Sequence, residues 1–260
     1  MQLSVNGTDI FVASGGRTFD ASQPTIVFLH GAGFDHTTWA LHSRWFAHHG
    51  YGVLAPDLPG HGRSSGAPLP AIADMADWTA SLLDAAGTTT AKLVGHSMGS
   101  LIALETAARH PAKVSALSLI GTAATMTVGL DLLQAAEAGD HAAIDMVSIW
   151  GLGYQAELGG SLAPGLWMHG GAQRVLENGR PGVLFNDLSA CNAYQGALVA
   201  AAKVAVPATL ILGERDMMTP ARAGKALAAA LPNSRTIVLR GAGHMMMVER
   251  PDEVLAALRG

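Results

Sequence analysis

The chain has 260 residues, 49% of them apolar and 14% charged, which suits a compact core with room for an inserted lobe and excludes a disordered chain. A formal net charge of −4 with dispersed basic residues excludes a nucleic-acid-binding footprint. A single cysteine, Cys191, excludes an intrachain disulfide and reads as a small buried side chain.

In chain order, "LSVNGTDIFVA" places two alternating runs around Asn6-Gly7 and predicts a β-hairpin. The opening stretch lacks the basic start and apolar run of a secretory signal. No run of about 18 apolar residues occurs either, so a soluble, cytoplasmic protein is expected. "TIVFLHG" predicts a buried strand ending in glycine, residues 37–49 a helix, and "YGVLAPDLPGHGRS" a strand followed by a Pro/Gly loop. Residues 71–86 carry helical spacing. Then follow a strand at 91–95, a helix at 98–110 and a strand at 114–120. A strand at 208–212, a helix at 219–231, a strand at 235–239 and a helix at 245–259 complete the pattern. Strands alternating with helices predict an α/β fold with a mostly parallel sheet covered on both faces. Residues 122–205 break the rhythm: they show no strand signal and read as a helical lobe between two sheet strands. The expected division is a core of 1–121 and 206–260 with an inserted helical cap at 122–205.

One pentapeptide stands out. Gly95-His96-Ser97-Met98-Gly99 fits G-x-S-x-G and lies between a predicted strand and a predicted helix, the context in which that pattern carries weight. The turn is so tight that side chains two residues before and after the serine would meet backbone, and glycine removes the collision. Ser97 would then stand above a helix N-terminus, beside the free N–H of Met98. A serine hydroxyl is a weak nucleophile without a base, and the base needs an orienting anion.

Position selects both. Among eleven histidines, His244 lies between the last strand and the last helix, in a loop loosened by Gly241 and Gly243. Asp216, in "LILGERDMMTP", directly follows a strand, where α/β sheets place their sites; Glu214 and Asp57 compete with it. The glycines of His30-Gly31-Ala32-Gly33 follow a strand and let backbone N–H groups face a cavity. Ala32 and Met98 are therefore the expected oxyanion-hole donors, with His30 bracing the loop. Trp150, Trp167, Met168 and Met245 are the candidate substrate-binding residues. No Cys/His group has zinc-site spacing, so no metal and no cofactor are expected.

At these residues the sequence resembles the α/β-hydrolase superfamily over the whole chain. The order Ser97, Asp216, His244 is that superfamily's, and "DLPGHGRS" and the spacing of His244, Glu249 and Pro251 are similar to it. The resemblance implies an α/β-hydrolase fold: an eight-stranded, mostly parallel sheet with helices on both faces and a variable cap. It implies a triad of Ser97 as nucleophile, Asp216 as orienting acid and His244 as base. A serine at 97 sets the chain apart from relatives with Asp or Cys there. Ser100 stands where many relatives have a second glycine, and Thr122 where some place the acid. The implied activity is a serine hydrolase, a carboxylesterase or lactonase acting on small to medium esters or lactones through an acyl-serine. Alternatives are an enol-lactonase or C–C bond hydrolase of aromatic degradation, for which Arg174 and Arg180 are the available cap cations, a perhydrolase, or a non-catalytic ligand receptor. The expected partner is a small-molecule substrate, with no nucleic acid and no membrane, and the chain a monomer or homodimer.

Overall fold

A computed structural model describes residues 1–163 and 165–260. Its strands are β1 (Gln2–Val5), β2 (Thr8–Ala13), β3 (Thr25–Leu29), β4 (Gly52–Pro56), β5 (Ala91–His96), β6 (Val114–Ile120), β7 (Ala208–Gly213) and β8 (Ser234–Leu239). They form one eight-stranded sheet in the order β1-β2-β4-β3-β5-β6-β7-β8. Only β1 and β2 run antiparallel to their neighbours. The β1–β2 hairpin turns at Asn6 and Gly7, with φ of 51° and 77°. Positive φ at both central residues matches the twist of the flanking strands, and Asn-Gly reaches it at low cost.

The parallel strands are buried along almost their whole length, and this explains the short Val/Ile/Leu runs without alternation. Their side chains divide by parity. Val27, Leu29, Leu54 and Leu93 join a core with α2 (Ile72–Ala85), α3 (Met98–Arg109) and Leu227 of the later helix at Ala221–Ala230. Ile26, Phe28, Val53 and Val94 join the other core, with α1 (Ala40–Ala47) and the last helix of the chain. Fully burying one such side chain stabilises by about 1.5–3 kcal/mol, so the two cores together fix the sheet and its edges.

Six helices lie in the chain between β6 and β7: α4 (Leu130–Ala138), α5 (Ala142–Trp150), α6 (Tyr154–Glu157), α7 (Met168–Glu177), α8 (Val183–Ala193) and α9 (Ala197–Ala201). No strand occurs among their described residues. After β7 comes α10 (Ala221–Ala230), and after β8 come α11 (Met246–Glu249) and α12 (Pro251–Arg259). The single helix expected at 245–259 is therefore two. Pro251 has no N–H to continue the ladder and drives the preceding residue out of helical geometry. Arg250 accordingly sits at φ −136°, ψ 56°. The helix expected at 37–49 opens as a 3₁₀ turn, His36–Trp39, capped by Asp35, and becomes α1 only at Ala40. Among the described residues no helix is long and apolar enough to cross a membrane.

Parallel strands deliver every following loop to one end of the sheet. The loops after β3, β5, β7 and β8 carry Ala32, Ser97, Asp216 and His244.

Candidate active site

Ser97 links β5 directly to α3. Its backbone, at φ 53° and ψ −119°, is one of two positive-φ non-glycine positions among the described residues; the other is Asn6 in the hairpin. Such a conformation costs about 1–3 kcal/mol and persists only where its surroundings over-determine it. They do so here. A Cβ on Gly95 would lie 2.0 Å from the Gly99 carbonyl oxygen, and one on Gly99 would lie 2.3 Å from that of Leu29. The Ser97 N–H donates to the Ile120 carbonyl at 2.9 Å, so the sheet holds the residue from below. Ser100, in place of a glycine, donates its hydroxyl back to the Ser97 carbonyl at 2.6 Å. Although Ser97 occupies the N-cap position of α3, its side chain makes no capping bond and its hydroxyl is uncommitted.

His244 is 3% exposed, and its Nδ1 lies 2.8 Å from Asp216 Oδ2. Asp216 is saturated with donors. Oδ1 accepts the N–H groups of Met218 and Thr219 at 2.9 and 2.7 Å, and Oδ2 accepts the Thr219 hydroxyl at 2.8 Å. Burial pushes this carboxyl up, but the charge of His244 and the hydrogen bonds from His244 and Thr219 outweigh it and hold it below its ordinary value. An ionised carboxylate only accepts, so His244 donates from Nδ1 and leaves Nε2 with a free lone pair. Nε2 is buried and has no hydrogen-bond partner among the described residues.

Neighbours fix the imidazole further. His96 donates from Nε2 to the His244 carbonyl at 3.0 Å, with the two ring centroids 4.6 Å apart. Burial and the adjacent His244 hold His96 well below the ordinary imidazole value, so it stays neutral. Gly121, at φ 57°, leaves space for the ring: a Cβ there would lie 2.9 Å from His244 Cε1. Glu249 Oε2 accepts the N–H groups of Gly243 and Gly153 at 2.9 and 3.0 Å, tying the His244 loop to the segment between α5 and α6. The N–H groups of His244 and Met245 reach the Gly151 carbonyl at 3.0 and 2.8 Å. Thr219 and His96 carry no sequence signal for these contacts. Thr219 lies three residues after Asp216 in an ordinary turn, and His96 occupies a variable position of the G-x-S-x-G pattern.

The loop after β3 passes against the serine, since a Cβ on Gly31 would lie 3.3 Å from Ser97 Cβ. His30 donates from Nδ1 to the Gly31 carbonyl at 2.9 Å and accepts the Leu58 N–H on Nε2 at 3.1 Å. Burial and the neighbouring His61 push its pKa down to about 4, consistent with that neutral tautomer. Met98 heads α3 and is fully buried.

Ser97, His244, Ala32, Trp150 and Met245 line one cavity of about 330 Å³, walled by Met126, Leu132, Val147, Leu188 and Met218. Among the described residues no Asp, Glu, Lys or Arg lines it. Trp167 and Met168 line a neighbouring cavity of about 190 Å³, separated from the first by Phe34 and Met245, which face both. Trp167 is 70% exposed.

The competitors for the acid are engaged elsewhere. Glu214 accepts the Gly241 N–H at 2.9 Å on the surface. Asp57 accepts the His36 ring at 2.7 Å, the His36 N–H at 2.8 Å and the Arg63 N–H at 2.9 Å. Asp35, His36 and Asp57 are the one group of three close metal-ligand types among the described residues, and these bonds already occupy both Asp57 oxygens. Arg174 pairs with Glu177 at 2.6 Å on an exposed face, and Arg180 donates to the carbonyls of Ser64 and Gly66.

The model of the alpha/beta hydrolase family matches residues 26–257, and the chain belongs to that family. It is 31% identical to the pimeloyl-[acyl-carrier protein] methyl ester esterase of a Neisseria meningitidis serogroup C strain, across 90% of this chain and 91% of the relative. The Chromobacterium violaceum protein of the same name is 32% identical, across 90% and 92%. Among solved structures, the enol-lactonase from Burkholderia xenovorans LB400 superposes with a TM-score of 0.87 at 25% identity, covering 100% of this chain and 98% of that one.

Proposed function

We propose that the protein is a serine hydrolase that cleaves uncharged carboxylic esters or lactones with an apolar acyl part. One observation carries this reading: the Asp216–His244 pair leaves Nε2 free in the same cavity as a strained, uncommitted Ser97. His244 Nε2 takes the Ser97 proton as Oγ bonds to the carbonyl carbon, whose π electrons move onto oxygen. The Ala32 and Met98 N–H groups receive that oxyanion, aided by the α3 dipole. Collapse breaks the bond to the leaving alkoxide, His244 returns the proton to it, and an acyl-serine remains. Water, deprotonated by His244, adds to the acyl carbon and releases the acid and Ser97. The six-helix insert acts as a cap: α5 and α8 supply Val147, Trp150, Leu188 and Cys191 to the cavity wall.

The relatives named as methyl ester esterases and the enol-lactonase support ester and lactone cleavage. The apolar lining favours neutral substrates. A C–C bond hydrolase acting on a carboxylate-bearing substrate would want a cation in the cavity, and Arg174 and Arg180 are bound elsewhere. Free esters and lactones are the preferred class, since no Asp, Glu, Lys or Arg among the described residues lines the cavity.

A series of p-nitrophenyl esters from acetate to decanoate, given to wild type and Ser97→Ala, tests the reading. A fluorophosphonate probe with peptide mapping runs alongside. Turnover confined to wild type, with label on Ser97, is expected. Tight binding of esters without turnover or label would instead favour a receptor.

A further inference from the structure

A second Asp–His pair lies outside the machinery just described. Asp187, on α8, is fully buried. Its Oδ2 accepts the Gly33 N–H at 2.9 Å and lies 2.7 Å from His61 Nε2, while Oδ1 accepts Asn186 Nδ2 at 3.2 Å. The other nitrogen of His61, Nδ1, lies 3.0 Å from the Pro59 carbonyl. A carbonyl and an ionised carboxylate only accept, so both ring nitrogens donate and His61 is an imidazolium. Burial pushes His61 down, but the charge and hydrogen bond of Asp187, the Pro59 carbonyl and the charge of Asp57 outweigh it and hold it above its ordinary value. The remaining titratable and charged neighbours are His30, neutral with its ring centroid 4.9 Å away, and Asp35, Arg63 and Arg180, which line the crevice beside His61.

What the carboxylate holds gives the pair its meaning. Gly33 follows Ala32 directly, at φ 72°, and the insert rests on it: a Cβ there would lie 2.9 Å from both Leu176 and Leu184. The helix that supplies Asp187 also sends Leu188 and Cys191 into the wall of the substrate cavity. One helix of the insert thus shapes the cavity and grips the oxyanion loop.

We infer that Asp187, charge-paired with His61, is a positioning residue that sets the Ala32 N–H for the tetrahedral oxyanion, so that seating of the insert governs turnover. The inference rests on the hydrolase reading and adds to it a residue 154 positions along the chain from the loop it holds. Displacing one oxyanion donor by about 1 Å is worth up to about a hundredfold in rate and acts on the transition state alone.

The test measures kcat and KM for a p-nitrophenyl ester from about pH 6 to 9.5, per active site titrated with the fluorophosphonate. It uses wild type, Asp187→Ala and Asp187→Asn. Wild-type turnover with label on Ser97 comes first; its absence overturns the hydrolase reading and this inference with it. Asp187→Ala is then expected to lower kcat about 10–100-fold with KM changed less than about threefold. Asp187→Asn, with its amide oxygen at the Oδ2 position, can accept both the Gly33 N–H and the Nε2–H of a neutral His61, whose Nδ1 then gives up the Pro59 carbonyl. It is expected to keep most of kcat at neutral pH and to lack the alkaline fall that wild type shows as His61 gives up its proton. Full kcat per titrated site in Asp187→Ala would make the residue a structural buttress and overturn the proposal. Should Asp187→Ala not fold, an alkaline limb in Asp187→Asn identical to wild type would do the same.

Discussion

Two buried aspartate–histidine pairs, one in the loops after β7 and β8 and one between α8 and the loop after β4, have nearly the same separation: 2.8 Å for Asp216–His244 and 2.7 Å for Asp187–His61. What each second nitrogen meets distinguishes them. In His244 it meets no partner among the described residues and opens on the cavity, so the pair is built to receive a proton. In His61 it is bound to the Pro59 carbonyl, so the proton is locked in and the pair works as a charged tie between the helical insert and the sheet. The same two side chains give a proton acceptor or a fastener, according to one further hydrogen bond.

The largest effect is expected at Ser97, the proposed nucleophile. Ser97→Ala is expected to lower kcat by several orders of magnitude, as does loss of the nucleophile in other triads, while the fold and the His61 pair stay intact by thermal unfolding. The same amide substitution made in both pairs separates their roles. Asp216→Asn is expected to cost about ten-thousand-fold in kcat, because an amide at Oδ2 stabilises the wrong His244 tautomer. Asp187→Asn at neutral pH is expected to cost less than about threefold, since an amide oxygen at the Oδ2 position still accepts the Gly33 N–H. Side-by-side steady-state kinetics at about pH 7.5 reads both, and equal losses would erase the distinction.

Stability against pH separates the pairs by sign. The folded value of His61 is raised, so its contribution is complete below the ordinary imidazole value of roughly 6.5 and is lost as pH rises through the folded value. The folded value of Asp216 is lowered, so its contribution is complete above the ordinary carboxyl value and is lost as pH falls through the folded one. Melting temperature should therefore decline at both ends, and Asp187→Asn should flatten the alkaline decline alone. The smallest effect lies between the cavities. Phe34→Ala opens the wall that the two share and is expected to move the ester-chain preference of kcat/KM a few-fold toward longer acyl groups.

Legibility followed the range of the signal. The β1–β2 hairpin, the parallel strands and the Ser97 turn are written in runs of five to ten residues, and each left a pattern of glycine or periodicity in the sequence. Asp216 and His244 lack a local pattern, but strand ends narrow the choice, and the structure brings those two together while engaging Glu214 and Asp57 elsewhere. The break at Pro251 was readable from the proline itself. Asp187 was not readable: it sits mid-helix in a segment with no distinguishing spacing, and its partners are 126 and 154 residues away. His61 stood in a loop that the sequence marked, yet a histidine between glycines reveals its charge state only once both acceptors are in place.

The most direct measurement is a rapid-quench reaction of stoichiometric enzyme with p-nitrophenyl butyrate, followed by intact mass and peptide mapping. One acyl group per chain, on Ser97, formed at the rate of the nitrophenolate burst and absent from Ser97→Ala, is the expected result. Turnover without an acylated Ser97, or undiminished in Ser97→Ala, would contradict the acyl-transfer role of this site.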